Sequence, residues 1–251
     1  AFNAGSETFE AYLTKGMLDY RYGLFEEAKI SLMKALSLSE TAEEPEIFAL
    51  ISVINSLKGN FEENERIFQN ITKEEFLSKP DIANAIGFHH LKKGLSLATQ
   101  DKEDEAVREL ERAENSFLKG ISSLDDNYFG LYGIGLSYLN RGNEQEGMRY
   151  LDRAHASNSR WIKPMLAKGM YFLENGRLKD ASAVFSTVFE DNLEELKKEY
   201  SRLLEEKDAA PGGQVEADID RTMKALAADM KAFLVAFVRT QILLGKFEKA
   251  E

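Results

Sequence analysis

The sequence contains no cysteine, only 4 prolines and only 3 histidines among its 251 residues. Without cysteine the chain cannot form a disulfide, a thiolate nucleophile or a cysteine zinc site, and composition does not reveal its redox compartment. The scarcity of proline permits long helices, and Leu, Ala, Glu and Lys outnumber Val and Ile, which favours helix over strand. No apolar run reaches the roughly 18 residues of a membrane-spanning helix. These absences favour an all-α protein.

Basic stretches are also missing. The formal net charge is −11, and no run of Lys and Arg offers the basic surface that nucleic acid or an anionic membrane requires. We therefore expect neither nucleic-acid binding nor a transmembrane segment. A cytoplasmic location is the default expectation. Export is the alternative if a signal segment has been removed, because the sequence begins with Ala rather than Met.

A short pattern recurs along the chain. Its first copy is YLTKGMLDYRYGLFEEAKISLMKAL at 12–36; further copies begin at 48, 90, 131 and 165, and an incomplete one begins at 234. Each complete copy has a small residue, a turn residue seven positions later and, in most copies, another small residue five beyond that. The first small residues are Gly16, Ser52, Gly94, Gly135 and Gly169, and the turn residues are Gly23, Gly59, Asp101, Gly142 and Gly176.

This pattern resembles the tetratricopeptide repeat, a 34-residue helix–turn–helix unit; Gly142 and Gly176 are 34 residues apart. The resemblance implies an all-α fold, a right-handed superhelical solenoid of antiparallel helix pairs. In such a fold the small residues let two helices cross closely, Gly16 against Ala28 in the first unit, and the turn residue ends the first helix in a left-handed conformation. One position of each second helix is predicted to fill the pocket between units: Leu32, Phe68, Leu110, Leu151 and Phe185.

The same resemblance divides residues 1–195 into five units, at about 9–42, 45–78, 87–120, 128–161 and 162–195. Extra residues around 74–86 and 116–127 predict helices longer than the family norm. Residues 196–251 are expected to hold a degenerate helical unit: a polar helix near 192–207, a Pro/Gly loop at 208–214 and an amphipathic helix near 215–229. The first helix of an incomplete unit follows, as expected of a chain cut from something longer.

No pattern predicts catalysis. His89 and His90 are adjacent, so on a helix they point about 100° apart and cannot share a metal ion; His155 stands alone. GLYGIG at 130–135 lacks the third glycine and the preceding strand of a phosphate-binding loop. The protein is therefore predicted to be no enzyme and to hold neither metal nor cofactor.

Members of the resembling family bind partners along a concave face lined by their first helices. Carried over position by position, this face is largely apolar here, although some of its side chains could instead belong to the core. Positions that hold lysine and asparagine in members that clamp a C-terminal carboxylate are apolar, which argues against such a clamp. The predicted partner-binding residues are Leu13, Met17, Tyr20, Val53, Leu57, Phe88, Leu91, Leu95, Phe129, Tyr132, Leu136, Leu166 and Met170.

These observations predict a non-enzymatic scaffold or adaptor that binds an apolar segment of a partner protein or peptide in its groove. Two alternatives remain open: the repeat region of a larger multidomain enzyme or regulator, and a binding protein for a small apolar ligand. Self-association through 215–244 is a further expectation, because Ile219, Met223, Leu226 and Phe233 recur there at helical spacing.

Overall fold

The computed structural model of the chain describes residues 8–21, 24–39, 44–69, 71, 74–77, 79–123, 127–159, 161–209 and 214–247, which contain helices and no strand. The chain divides into two compact units, Ala1–Ser157 and Asn158–Glu251. The helices of the first unit are α1 (Phe9–Arg21), α2 (Phe25–Leu38), α3 (Pro45–Lys58), α4 (Phe61–Gln69), α5 (Glu74–Leu77), α6 (Pro80–Ala98), α7 (Glu103–Ser123), α8 (Tyr128–Asn140) and α9 (Glu144–Ser157).

The first unit is a series of packed helix pairs: α1 with α2, α3 with α4, α6 with α7 and α8 with α9. Neighbouring pairs stack through α2 on α3, α3 on α6 and α7 on α8. Proline marks the start of α3 and α6, where its missing N–H would in any case have no partner within the helix. The predicted all-α architecture of antiparallel helix pairs is confirmed.

Each first helix ends in the same hydrogen-bonded turn. The predicted turn residues Gly59, Asp101, Gly142 and Gly176 have φ of 78°, 58°, 78° and 71°, the left-handed conformation that closes a helix; Gly23 lies outside the described residues. The residue after the turn position donates its N–H to the carbonyl five residues back, over 2.8–3.2 Å: Leu24 to Asp19, Asn60 to Asn55, Lys102 to Leu97, Asn143 to Tyr138 and Arg177 to Phe172.

Where the small residue of a first helix is glycine, it faces a large side chain sixteen positions later. A methyl group added at Gly16 would lie 2.7 Å from Leu32 Cγ, and one at Gly135 would lie 2.9 Å from the Leu151 side chain. At Gly16 the three nearest atoms all belong to Leu32, whereas at Gly94 and Gly135 the equivalents of Ala28 are also close, with Ala106 O at 3.2 Å and Gly147 O at 3.1 Å. The same spacing pairs Gly94 with Leu110 and Gly169 with Phe185.

The third helix pair is the longest of the first unit. Helices α6 and α7 have 19 and 21 residues, against 13 and 14 for α1 and α2. The added turns bring Phe117 of α7 between Gly87 of α6 and Gly133 of α8. Its ring is completely buried, and it belongs to a core cluster with Leu91, Leu110, Ala113, Leu131, Ile134, Tyr150 and Ala154.

The second unit consists of α10 (Lys163–Glu174), α11 (Leu178–Asp208) and α12 (Gln214–Phe247). Instead of the shorter helices expected near 192–207 and 215–229, the structure has two long helices, each of which runs without a break from its first residue to its last. Neither contains a proline, and the only glycine, Gly245, lies near the end of α12. Of the expected loop at 208–214, residues 210–213 lie outside the described part. Phe233 of α12 packs edge-on against Phe185 of α11, with ring centroids 5.6 Å apart.

Candidate functional site

A groove of about 550 Å³ opens on the first unit between four helices. All four, α1, α3, α6 and α8, are the first helices of their pairs, and α6 contributes its N-terminal part. The side chains that line it are Met17, Tyr20, Glu46, Ala49, Leu50, Val53, Pro80, Asp81, Asn84, Ala85, Asn127, Tyr128 and Phe129. Most of these residues are apolar or aromatic, so the groove offers an adaptable apolar surface.

Exposure varies among the residues that line the groove. Ala49 of α3 and Ala85 of α6 are almost fully buried. Met17 is half exposed and Val53 is partly buried. Burial raises the pKa of the Tyr20 hydroxyl, which stays neutral in the groove. A side chain entering here would exchange water for methyl, thioether and aromatic contacts.

A pair of asparagines joins α6 to the start of α8 at one wall of the groove. Asn84 and Asn127 are buried, and each amide donates to the other's oxygen over 3.0 Å. Asn127 also caps α8, because its Oδ1 accepts from Gly130 N at 3.0 Å. A methyl group at Gly120 would lie 3.1 Å from Asn84 Oδ1, so the glycine leaves room for the amide pair. These three hydrogen bonds hold α6 and the start of α8 together along this wall of the groove.

Two carboxylates stand at the rim. Glu46 of α3 accepts a hydrogen bond of 2.5 Å from Lys79 Nζ, and this bond lowers the pKa of the Glu46 carboxyl. Asp81 lies in the first turn of α6 and is exposed. The groove thus combines an apolar interior with an acidic edge.

The structure brings four of the predicted partner-binding residues into this groove: Met17, Tyr20, Val53 and Phe129. Leu13, Phe88, Leu95, Tyr132 and Leu136 are partly buried and pack against core clusters of the first unit. Leu57 is exposed on α3 without lining the groove. Leu166 and Met170 lie partly buried on α10, in the second unit.

The prediction that Leu91 contacts a partner is corrected by the structure, because only 2% of its surface is exposed and it lies in the core cluster of Phe117. It occupies the repeat position of Leu13 and Ala49, but it packs in one core cluster with side chains of α7 and α8. At 2% exposure Leu91 offers a partner almost no surface, so it is not among the proposed contact residues.

Sequence reasoning missed the groove residues of α6 and, next to the predicted Phe129, those at 127 and 128. Asp81, Asn84 and Ala85 precede the predicted start of the third unit at 87, whereas α6 begins at Pro80. Pro80 followed by Asp81 is a helix-start signal that could have placed them. Asn127 could likewise have been found as an N-cap before the apolar run of α8.

The two adjacent histidines pack and hydrogen-bond within the first unit. His89 is 1% exposed and its ring lies edge-on to Phe68 at 5.1 Å. Asn64 Nδ2 lies 3.2 Å from His89 Nδ1, which places the ring proton on Nε2. His90 Nδ1 donates to Glu109 at 2.7 Å. Among the described residues, no three His, Asp or Glu side chains are arranged to hold a metal ion.

His89 should make the fold sensitive to acid. Burial lowers its pKa from 6.5 to about 4. The unfolded chain therefore takes up a proton at His89 near pH 6.5, whereas the folded chain takes it up only near pH 4. Falling pH therefore favours unfolding through that window, by about 2 kcal/mol at pH 5 relative to pH 7.5. Urea unfolding measured at both pH values should show this loss.

The matched control is His89→Gln, whose amide oxygen can accept from Asn64 but cannot titrate. Carboxylates and His90 contribute equally to the pH dependence of both proteins, so the difference isolates His89. Equal pH dependence of the two proteins would show that folding does not lower the pKa of His89.

None of the described helices has the length and apolarity needed to cross a bilayer. The family profile of the tetratricopeptide repeat matches residues 9–41, which contain α1 and α2. A search of curated proteins gives no match.

Solved structures extend the likeness beyond the first pair. A thermophilic TPR protein of Thermus thermophilus is 16% identical, with a TM-score of 0.63 over 78% of this chain and 100% of that one. Pseudomonas aeruginosa pilF is 15% identical, with a TM-score of 0.50 over 84% of this chain and 96% of that one. At these identities the likeness concerns the fold. The chain carries a tetratricopeptide repeat at 9–41 and has the fold of a tetratricopeptide-repeat protein.

Proposed function

We propose that this chain is a non-enzymatic scaffold that binds a segment of a partner protein in the groove between α1, α3, α6 and α8. The observation that carries the proposal is the groove itself: about 550 Å³, lined mainly by apolar and aromatic side chains from the first helices of successive pairs. Tetratricopeptide repeats commonly present such a concave surface to other proteins. Met17, Tyr20, Val53 and Phe129 are the proposed contact residues.

The proposal predicts that two substitutions to uncharged polar residues in the groove weaken binding of the partner segment. Met17→Gln with Val53→Thr keeps side-chain size but replaces apolar contact by polar groups that lose water on binding. Peptides selected from a random display library on the full chain supply the probe, and fluorescence anisotropy measures their affinity. We expect the double variant to raise Kd by about tenfold, or about 1.4 kcal/mol.

Met33→Gln with Val107→Thr is the matched control. Met33 is 51% exposed, against 50% for Met17, and neither Met33 nor Val107 lines the groove. The control should leave Kd within about twofold, since exposed sites away from the interface contribute little. Equal loss in both double variants, or selection of no groove-dependent peptide, would contradict the proposed function.

A small apolar ligand is the second candidate, favoured by the groove volume, which lies in the range of about 300–1,000 Å³ typical of ligand sites. Native mass spectrometry of the purified chain would reveal such a ligand as a fixed added mass that the Met17→Gln, Val53→Thr variant loses. The third alternative, a repeat region serving a larger enzyme or regulator, is compatible with the same groove.

Self-association through 215–244 stays a prediction. Within the second unit, Met223 and Phe233 of α12 are buried, so part of its apolar stripe is used inside the chain. Another face of α12 exposes Leu234, Val235, Val238 and Ile242. Sedimentation equilibrium over a range of concentrations would decide whether two copies of the chain associate.

A further inference from the structure

The charged side chains that line the groove are all of one sign. Glu46 of α3 and Asp81 of α6 are acidic and exposed, and the described lining contains no Lys, Arg or His. The chain as a whole carries a formal charge of −11. A positive segment would therefore be attracted both by the overall field and by the local edge of the groove, whereas an acidic one would be repelled.

Glu46 already holds a cation of the chain itself. Lys79 Nζ lies 2.5 Å from Glu46 Oε1 and 5.3 Å from the centre of the Phe76 ring. Both Lys79 and Glu46 are about half exposed, so the pair is accessible to an incoming charged group and worth little to stability. In the described part of the chain, Asp81 has no ion-pair partner within the geometry that defines Glu46–Lys79.

Aromatic rings stand near these carboxylates. Tyr20, Tyr128 and Phe129 line the same groove as Glu46 and Asp81. Ring faces attract ammonium and guanidinium groups, and the methylene stems of Lys and Arg pack on apolar surface while their charged ends reach an acid. The combination of rings, methyl groups and carboxylates fits a long basic side chain better than a purely aliphatic one.

We propose that the groove recognises an amphipathic protein segment that carries Lys or Arg beside its apolar residues. Its basic groups pair with Asp81 and, in exchange with Lys79, with Glu46; its apolar residues lie on Met17, Val53 and Phe129. This inference rests on the proposed function and adds the chemistry of the partner to it.

Three variants test the charge assignment with the peptides selected from the random library. Asp81→Asn should raise the Kd of selected peptides by about five- to tenfold, because a charge-assisted bond becomes a neutral one. Lys79→Met should lower Kd by about twofold or more, since it leaves Glu46 free for the peptide. Asp104→Asn is the control: Asp104 is also an exposed acid in the first turn of a helix, α7, but lies outside the groove.

The peptide sequences give an independent measurement. We expect enrichment of Lys and Arg together with Leu, Met or Phe, and a Kd that rises between about 50 mM and about 300 mM KCl, because exposed ion pairs are screened by salt. Loss of this enrichment in a selection on Asp81→Asn would support the assignment further.

The outcomes separate the two proposals. If peptides lose affinity in the Met17→Gln, Val53→Thr variant but are acidic or uncharged and ignore Asp81→Asn, the groove binds segments and the basic partner is wrong. If Lys79→Met weakens binding, the rim favours an acidic partner and the inference is overturned. If peptides ignore the groove variants altogether, the proposed function fails first.

Discussion

Replacing Phe117 by Ala should lower the free energy of unfolding by about 3–5 kcal/mol, the largest effect expected from a single substitution in the first unit. The ring is 0% exposed and joins three helices, since it lies on α7 between Gly87 of α6 and Gly133 of α8. Both glycines lack the side chains that could collapse into the vacated space, so the cavity would persist. Urea unfolding followed by far-ultraviolet circular dichroism measures the loss.

A coupled pair of substitutions tests the same contact from its other side. A methyl group at Gly133 would lie 2.3 Å from Phe117 Cζ and 2.4 Å from Cε2, so Gly133→Ala alone should cost about 1–3 kcal/mol by overpacking. Phe117→Leu removes these ring atoms, and Gly133→Ala should then cost clearly less. Additive losses in the double variant would show that the ring does not touch Gly133.

Gly245→Ala provides the control for glycine itself. It lies in α12 with no atom within 4 Å of the added methyl group, so helix propensity alone acts there. We expect a gain of up to about 1 kcal/mol rather than a loss. The opposite signs at Gly133 and Gly245 would separate packing from backbone entropy.

The repeat pattern predicted those parts of the fold that recur in every helix pair. Turn residues such as Gly59 and Gly142 were identifiable because each repeat needs one left-handed residue at the same place. The close crossing of α1 and α2 at Gly16 was predictable for the same reason. The sequence did not predict that Leu32 would be the nearest residue to Gly16. That detail depends on the direction of the Leu32 side chain, which residue spacing alone does not fix.

The groove was only partly predictable, because it depends on where the repeat is interrupted. Met17, Tyr20, Val53 and Phe129 followed from repeat positions. Asp81 and its neighbours did not, since the added turns of α6 have no counterpart in the other units. Leu91 was assigned to the surface from its repeat position, yet the longer α7 and its neighbour α8 bury it. Insertions thus changed both the shape and the exposure of the face.

Asn127→Ala should have the second largest effect, a loss of about 2–4 kcal/mol in the free energy of unfolding. The substitution removes the cap of α8, worth about 1 kcal/mol, because Asn127 Oδ1 accepts from Gly130 N at 3.0 Å. It also leaves the buried amide of Asn84 without the two 3.0 Å bonds that Asn127 provides, which costs about 1–3 kcal/mol. Urea unfolding again supplies the measurement.

Two further variants divide this loss into its parts. Asn127→Ser keeps a capping oxygen but is too short to reproduce both bonds to Asn84, so its cost reports the amide pair. Asn84→Ala removes the pair and retains the cap, and it should cost about as much as Asn127→Ser. When Asn127→Ala is added to Asn84→Ala, the further loss should fall to about 1 kcal/mol, the cap alone, since no amide is then orphaned. If Asn127→Ala lowers the free energy of unfolding as much in the Asn84→Ala variant as in the wild type, the two asparagines act independently. The wall that they form along the groove would then be held by other contacts.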